Sequence, residues 1–388
     1  MDKNKTPDIK ELRDKINSID SEIVKMLGNR YRLSEEVVRF KDVNDKPIRD
    51  REREKELLKR IKSLGEEYGL DEHFLDRVYK EIIDYSVKVQ HDYLQKLANN
   101  NQTTSDQIRI SIQGIEGSYS YLAGKKFFKQ FGNELTYSSY KRFDEVVSSV
   151  ENGEADYAML PIENTTSGGI NEVYDLLLHT TLAIVGEERY EVNHCLVGTT
   201  EIKIQNIEKV YAHYQAAAQC NKFIDNMNSV ALEYFADTAM SVRKVKEMSN
   251  PKLVAIASED AAELYGMKIL AKNIANQTNN YTRFLVCARK PIAVDTRVPC
   301  KTSLVFATSH KAGSLVDALT VFRKNNLNMT KLESRPILGN PWEEMFYLDF
   351  EGNYQVEAIK QTLRELEDHT RFLKVLGSYP SQDLPPTK

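Results

Sequence analysis

Apolar residues in the first part of the chain recur in alternating steps of three and four: Ile9, Leu12, Ile16, Ile19, Ile23, Met26, Leu33, Val37 and Phe40. That stepping is a heptad seam, the stripe a long helix buries against another helix. It predicts a helix from about Asp8 to Lys41, with Pro47 breaking the pattern. A charged helix follows from Asp50 to about Leu64, ended by Gly65. A third starts at Asp71, read as an N-cap, and runs to about Leu97. The position between Met26 and Leu33 that fits the stepping is Arg30. A guanidinium on a buried seam is costly unless a carboxylate partner or an anionic ligand meets it. The first helix alone would span roughly 50 Å at about 1.5 Å per residue. Long helices with short links close poorly into a monomer, so the expectation is an intertwined dimer whose copies bury each other's seams.

The run from Ala98 to Gln107 is polar and reads as a linker. From Ile108 the period changes. Short apolar runs (IRISI, YAMLPI, LAIVG, KVYAH, KLVAIAS, RFLVCA) alternate with helical stretches such as Phe143–Glu151, Ala216–Ile224 and Thr238–Met248. This alternation predicts an α/β domain of two lobes with a cleft between them. Beyond about residue 300 the pattern is β-α-β-β-α-β, the ferredoxin-like order. The predicted fold class is therefore multidomain. An all-α, intertwined, dimeric helical domain spans 1–97 and a linker spans 98–107. A two-lobed α/β domain spans 108–290, and an α+β ferredoxin-like domain spans 300–388.

Composition narrows the classes. The chain has 388 residues, 41% hydrophobic and 28% charged, with a net charge of −4. That balance is globular and carries no nucleic-acid footprint. No run of about 18 apolar residues suggests a membrane span. The polar start MDKNKTPDIK does not read as a signal peptide. Cys195, Cys220, Cys287 and Cys300 lack metal-ligand spacing and read as reduced thiols of a cytoplasmic protein, with no metal expected. No Walker lysine or G-x-G-x-x-G is present, so a nucleotide is not expected.

Candidate chemistry clusters in three places. Arg30 and Lys41 lie about three turns apart, within about 20° of one helix face. Asp50, Arg53 and Glu54 follow i, i+3, i+4 spacing, and Ser86 and Gln90 i, i+4. Arg13 lies about 25 Å before Arg30 and points about 100° away, so it could meet that site only from a second copy. The rival reading of Arg53 and Glu54 is a solvated charged face. In the middle segment, Glu163-Asn164-Thr165-Thr166-Ser167-Gly168-Gly169 follows a strand and precedes a helix, as does Gly117-Ser118-Tyr119-Ser120. Such loops offer backbone N–H groups to an anion, or simply cap a helix. Thr282-Arg283 opens a strand and would supply a hydroxyl and a carboxylate clamp at the cleft.

Residues 10–97 resemble the all-helical chorismate mutase domain of bacterial bifunctional P-proteins, through LRDKINSID, the spacing to Lys41, KPIRDREREKELL and IIDYSVKVQ. The resemblance implies that Arg30, and Arg13 from a partner chain, hold two carboxylates. It implies that Lys41 and Gln90 donate to the ether oxygen. Asp50, Arg53, Glu54 and Ser86 would orient the hydroxyl and a carboxylate. IENTTSG with NNYTRF resembles prephenate dehydratase over about 108–289. This implies Thr282 as donor to the departing hydroxyl and Arg283 as carboxylate holder. Glu163, Asn164 and Gln219 are implied in binding or turnover. Where that family often reads His-Pro-Gln, this chain has His213-Tyr214-Gln215, and His194-Cys195 is assigned to packing. His213 stays open between general acid and structural histidine.

Gly313-Ser314-Leu315-Val316 and Glu333-Ser334-Arg335-Pro336 are similar to the two signatures of an ACT regulatory domain, which implies feedback inhibition by phenylalanine. Ser314 stands where that family commonly has Ala. PWEEMFYLDF, with the single tryptophan Trp342, matches as well. The combined reading is a two-step enzyme, chorismate to prephenate to phenylpyruvate, without a cofactor. Two rivals remain: an amino-acid-responsive binding protein whose helices only dimerise, and a dehydratase with an inactive mutase segment.

Overall fold

The structure is a computed structural model that describes residues 8–44, 46–99, 107–227, 230–337 and 343–382. The central part of the expected linker and Trp342 fall outside those residues. The chain separates into two compact units. One is the N-terminal helices with Ala293–Val298, and the other holds the rest of the described chain.

The helical unit comprises α1 (Ile9–Val43), α2 (Arg51–Glu67) and α3 (Glu72–Asn99). Asp8, Asp50 and Asp71 each accept a backbone N–H at the start of a helix, which satisfies orphan donors there. Gly65 does not end α2. The helix runs on to Glu67, and the left-handed residue after it is Gly69, at φ 67°. Gly65 instead gives Leu75 its place: a Cβ there would collide with the Leu75 side chain.

The heptad seam is not buried within one chain. Ile16, Ile23 and Leu33 are 57%, 51% and 58% exposed. Only Ser34 and Val38 of α1 are buried, on a neighbouring stripe that faces α3. Tyr31 and Tyr85 pack across that contact as tilted rings with centroids 4.4 Å apart. Arg30 is thus half-buried against α3, with the apolar seam left open beside it. The segment Ala293–Val298 closes the other end of the unit. Gln95 and Asn99 donate to the Ala293 carbonyl, and Arg297 pairs with Asp42 at 2.5 Å.

The second unit begins with β1 (Gln107–Gln113), α4 (Tyr119–Phe128), β2 (Glu134–Tyr140), α5 (Phe143–Glu151), β3 (Tyr157–Asn164), β4 (Gly168–Gly169), α6 (Asn171–His179) and β5 (Ala183–Glu191). The chain then builds β6 (Cys195–Gly198), β7 (Lys209–His213), α7 (Tyr214–Gln219), α8 (Asn221–Asp225), β8 (Ala231–Phe235), α9 (Thr238–Met248), β9 (Leu253–Ala257), α10 (Glu259–Leu264) and β10 (Lys268–Ala271). It returns as β11 (Tyr281–Ala288). The first lobe's sheet has the order β2-β1-β3-β11-β5, with β4 on β3, and the second lobe's β10-β6-β9-β7-β8. Two crossings join the lobes, β5 to β6 and β10 to β11. Strands β2, β6, β8 and β10 were not expected from the apolar runs.

The C-terminal part is β12 (Cys300–Ala307), α11 (Ser314–Lys324), β13 (Met329–Pro336), β14 (Glu344–Glu351), α12 (Glu357–Asp368) and β15 (Phe372–Pro380). Its antiparallel sheet reads β13-β14-β12-β15, the order of a β-α-β-β-α-β unit. Its apolar face is covered by α11 and α12 through Leu304, Phe306, Phe322, Leu348, Phe350 and Leu366. The opposite face shares a core with the first lobe, where Tyr347 and Tyr379 meet Tyr174 and Leu285. Gly377 makes that approach possible: an added Cβ would strike the Ile184 carbonyl oxygen, with Ile184 N only 3.0 Å away. Gly377→Ala is therefore expected to lose about 3 kcal/mol of stability, since backbone cannot move aside as a side chain can. Urea unfolding followed by near-ultraviolet circular dichroism measures it, and an unchanged midpoint would contradict the close sheet contact.

Candidate functional sites

In the helical unit, four elements converge on one polar patch. The Arg30 guanidinium donates to the Ile82 carbonyl at 3.3 Å and to the Ser86 hydroxyl. Ser86 in turn donates to Ile82, so its hydrogen is used internally. Among the described residues no carboxylate meets Arg30, and burial lowers its pKa. The Lys41 ammonium donates to the Ile48 carbonyl. Burial lowers the Lys41 pKa against the opposing pull of Asp50 and Glu54. Gln90 is buried, spends its Nε2 on the Ser86 carbonyl and leaves Oε1 without a partner among the described residues. Ile82, Ser86 and Gln90 lie at i, i+4 and i+8 on one face of α3.

Two expected members behave differently. Arg53 faces solvent and pairs with Glu56 at 3.2 Å, so it does not join the patch. Asp50 caps α2. Glu54 is held by Arg49 at 3.2 Å, and Arg49 also pairs with Asp84 at 2.5 Å. Arg49 was not expected in the site. Its only signal was a position two residues after Pro47, in the turn that enters α2. Arg13 is exposed on α1.

The second constellation lies where the chain crosses between lobes. Asn164, at the end of β3, donates to the Thr282 hydroxyl at 2.9 Å and to Asn280 Oδ1 at 2.7 Å. Its own carbonyl accepts from Thr166 and from the Ser167 backbone. Gln219, at the end of α7 in the other lobe, donates to the Thr166 and Ser167 hydroxyls at 2.7 and 2.9 Å. Its carbonyl accepts from Asn280 at 3.0 Å and faces His194 Nε2 at 2.9 Å. That pairing puts a hydrogen on Nε2 and leaves Nδ1 to face the Tyr119 hydroxyl at 3.1 Å. A cavity of about 350 Å³ opens on this network through Thr166, Ser167, Gln219 and Asn280, with no cation among its lining residues. Asn280, His194 and Tyr119 were not assigned to this site: Asn280 stood only inside the NNYTRF motif, Tyr119 in a loop read as an anion site or cap, and His194 was assigned to packing.

Arg283 and Glu163 do not join this cavity. Successive residues of a strand point to opposite faces. Thr282 pairs with Asn164 and Arg283 with Glu163 in the β11–β3 register. Thr282 and Asn164 face the network, and Arg283 faces the C-terminal sheet. There its buried guanidinium meets Glu187, Asp349 and Glu163 at 2.7, 2.6 and 3.2 Å. The expected carboxylate clamp is thus already occupied by protein carboxylates.

A second cavity, of about 480 Å³, is lined by Gly313, Ser314, Leu315 and Val316, with Glu343 and Phe346 opposite. Gly313 is left-handed at φ 86° and precedes α11. Glu333, Ser334, Arg335 and Pro336 do not line it. They lie on the edge strand β13, where Arg335 pairs with Asp175 at 2.8 Å. The four cysteines are buried and unpaired, and burial pushes the Cys220, Cys287 and Cys300 thiols up to about 12.

A protein from Enterobacter agglomerans, described as a bifunctional chorismate mutase/prephenate dehydratase, is 45% identical to this chain over 377 residues, 97% of each chain. The chain belongs to that family. Residues 12–91 match the chorismate mutase type II model and residues 110–292 the prephenate dehydratase model. A solved prephenate dehydratase from Arthrobacter aurescens, in complex with L-Phe, superposes with a TM-score of 0.65 at 25% identity, covering 72% of this chain and 92% of that one. A solved structure described as a novel type of quorum quenching acylase superposes with a TM-score of 0.63 at 31% identity, covering 71% of this chain and 98% of that one.

In this chorismate mutase/prephenate dehydratase, burial holds three histidines neutral. It lowers the pKa of His194 and His213, and takes His91 of the mutase helices down to about 4. The unfolded chain therefore takes up protons before the folded one. This part of the stability is intact above about pH 6.5 and declines as pH falls toward the folded values. For His91 the loss should approach about 1 kcal/mol per pH unit between about pH 6.5 and 4. Urea midpoints at pH 7.5 and 5.5 measure it. The acid-induced drop should shrink in His91→Gln, and an identical drop in both proteins would contradict the assignment.

Proposed function

We propose that the two activities of the family reside in the two polar constellations, the mutase in the helical unit and the dehydratase at the lobe crossing. The observation that carries this reading is the separation of two polar sites into two compact units. In the first, a pericyclic rearrangement needs no acid, base or nucleophile, only a dianion held folded with its breaking ether bond hydrogen-bonded. Arg30, with no carboxylate of its own, is the anion holder, and Lys41 and Gln90 face the ether oxygen. Arg13 arrives from a second copy, whose α1 covers the exposed seam of the first. The open apolar stripe beside Arg30 supports that dimer.

In the second site, the Asn164 amide donates to the Thr282 oxygen, which turns the Thr282 hydrogen away toward substrate. The C–O bond of prephenate breaks as that proton is delivered, water leaves, and the Thr282 oxygen regains a proton from solvent. The ring carboxylate departs as CO₂, and its electron pair completes the aromatic ring of phenylpyruvate. Threonine is a weak acid, so aromatisation supplies much of the driving force. The polar rim of Thr166, Ser167 and Gln219, in which the Ser167 hydroxyl keeps its hydrogen to donate, takes the place of Arg283 beside the substrate carboxylates. The acylase description of one structural neighbour shows that the fold does not choose the reaction. Identity along the whole chain and the Asn164–Thr282 pair support dehydration.

The C-terminal unit is read as an ACT domain that binds phenylalanine at the Gly313–Val316 cavity. The Glu333–Pro336 strand would be contributed by a paired copy, because one chain does not bring both signatures to one cavity. The L-Phe complex of the related dehydratase supports this. The buried, unpaired thiols suit the reducing cytoplasm.

Arg30→Ala should remove mutase activity by about three orders of magnitude while sparing the dehydratase, and Thr282→Ala should do the reverse. Separate assays with chorismate and prephenate test this. Loss of both activities in either folded variant would end the two-site reading. Phenylpyruvate formation from chorismate should fall when phenylalanine is added.

A further inference from the structure

The groups that surround Arg283 form a buried ionic joint between the dehydratase lobe and the C-terminal sheet. Arg283 Nε meets Glu187 of β5, and one terminal nitrogen meets Asp349 of β14 and Glu163 of β3. The other terminal nitrogen donates to the Tyr379 hydroxyl at 2.9 Å. Lys301 of β12, itself 2% exposed, pairs with Glu187 at 2.9 Å. Ser303 donates to the second oxygen of Asp349. Glu163 has its two oxygens divided: Oε1 faces Arg283 at 3.2 Å, and Oε2 faces Lys331 of β13 at 2.9 Å. Lys331 also pairs with Glu333 at 3.1 Å. The Glu333 carboxylate lies against Gly169, at the end of the loop that begins at Asn164.

This joint sits one residue from the reacting hydrogen bond. Glu163 precedes Asn164, Arg283 follows Thr282, and the two pairs are in register across β3 and β11. Fixing Glu163 against Arg283 therefore fixes the spacing of Asn164 and Thr282 on the other face. Stability alone does not call for such a joint, because buried ion networks are often no more stable than an apolar core of the same volume. Their directional, paired hydrogen bonds give fixed geometry instead. Lys331 and Arg335 tie the strand carrying Glu333 to the first lobe, Lys331 at Glu163 and Arg335 at Asp175.

We propose that Arg283 and Lys331 are positioning residues for the dehydratase, holding Asn164 and Thr282 at their working distance through Glu163. A displacement of β13 then reaches the proton donor through Lys331 and Glu163. This rests on the assignment of Thr282 to the dehydratase site.

The test uses the full-length protein, with near-ultraviolet circular dichroism as the check of folding. Lys331→Met removes the cation and leaves Glu163 and Glu333 facing each other. It should lower kcat for prephenate about tenfold, leave KM within about twofold, and weaken inhibition by phenylalanine. Lys331→Arg keeps the charge and should restore kcat to within about threefold of the parent. A kcat for Lys331→Met within twofold of the parent overturns the proposal, as does failure of Lys331→Arg to rescue. If Lys331→Met does not fold, the isosteric Glu163→Gln takes its place with the same expected loss, and a normal kcat there is equally fatal. Thr282→Ala separates the two levels. If it retains dehydratase activity, the site assignment fails. If it is inactive while Lys331→Met is normal, only the positioning role fails.

Discussion

The alternation of side chains along β11 governs the second unit. A strand cannot send Thr282 and Arg283 to the same face, so the threonine takes the lobe-crossing network and the arginine takes the joint with the C-terminal sheet. A guanidinium sent into that interior has to be matched, and Glu163, Glu187 and Asp349 come from three other strands to match it. The placement of one arginine thus explains why β3, β5 and β14 carry acids at buried or half-buried positions. Burial pushes the Glu163 carboxyl up, yet Lys331 and Arg283 outweigh it and hold it below its usual range.

The helical unit faces the opposite problem. Arg30 and Lys41 are only half-buried, Arg30 meets no carboxylate among the described residues, burial outweighs the pull of Asp50 and Glu54 on Lys41, and the apolar stripe is open. Desolvation lowers the pKa of both Arg30 and Lys41, so each is an under-compensated cation beside a hydrophobic surface. A dianionic ligand and a second apolar helix would each relieve one of these two debts.

Much of this architecture was legible in the residues. Asp71 was read as a helix cap and the Gly117–Ser120 loop as a possible one, and Asp71 and Ser118 each accept a backbone N–H at a helix start. The β-α-β-β-α-β order was plain from period alone. Strand β8 was not, because it is an edge strand whose residues are mostly exposed and carry no apolar run. Lys301 carried no signal of burial in its own stretch of sequence, because its partner Glu187 lies more than a hundred residues away. The partners of Arg283 were hidden for the same reason. Local sequence shows that a charge is present but not which distant charge will face it. Gly65 was read as a helix stop when it is a contact, since both uses need the absence of a Cβ and differ only in what stands opposite.

The return of the chain as β11 has a consequence for how this protein is made. β11 lies between β3 and β5 in the first lobe's sheet, so until residue 288 has been synthesised that sheet exists as two separate pieces. The strands of the second lobe are complete earlier, with β10 ending at Ala271. On a ribosome the second lobe can close first. The first lobe waits with β3 and β5 edges unpaired, and the strand that seals them is the one carrying Thr282. The residues of the lobe-crossing network are therefore brought together by the same event that completes the first lobe's sheet.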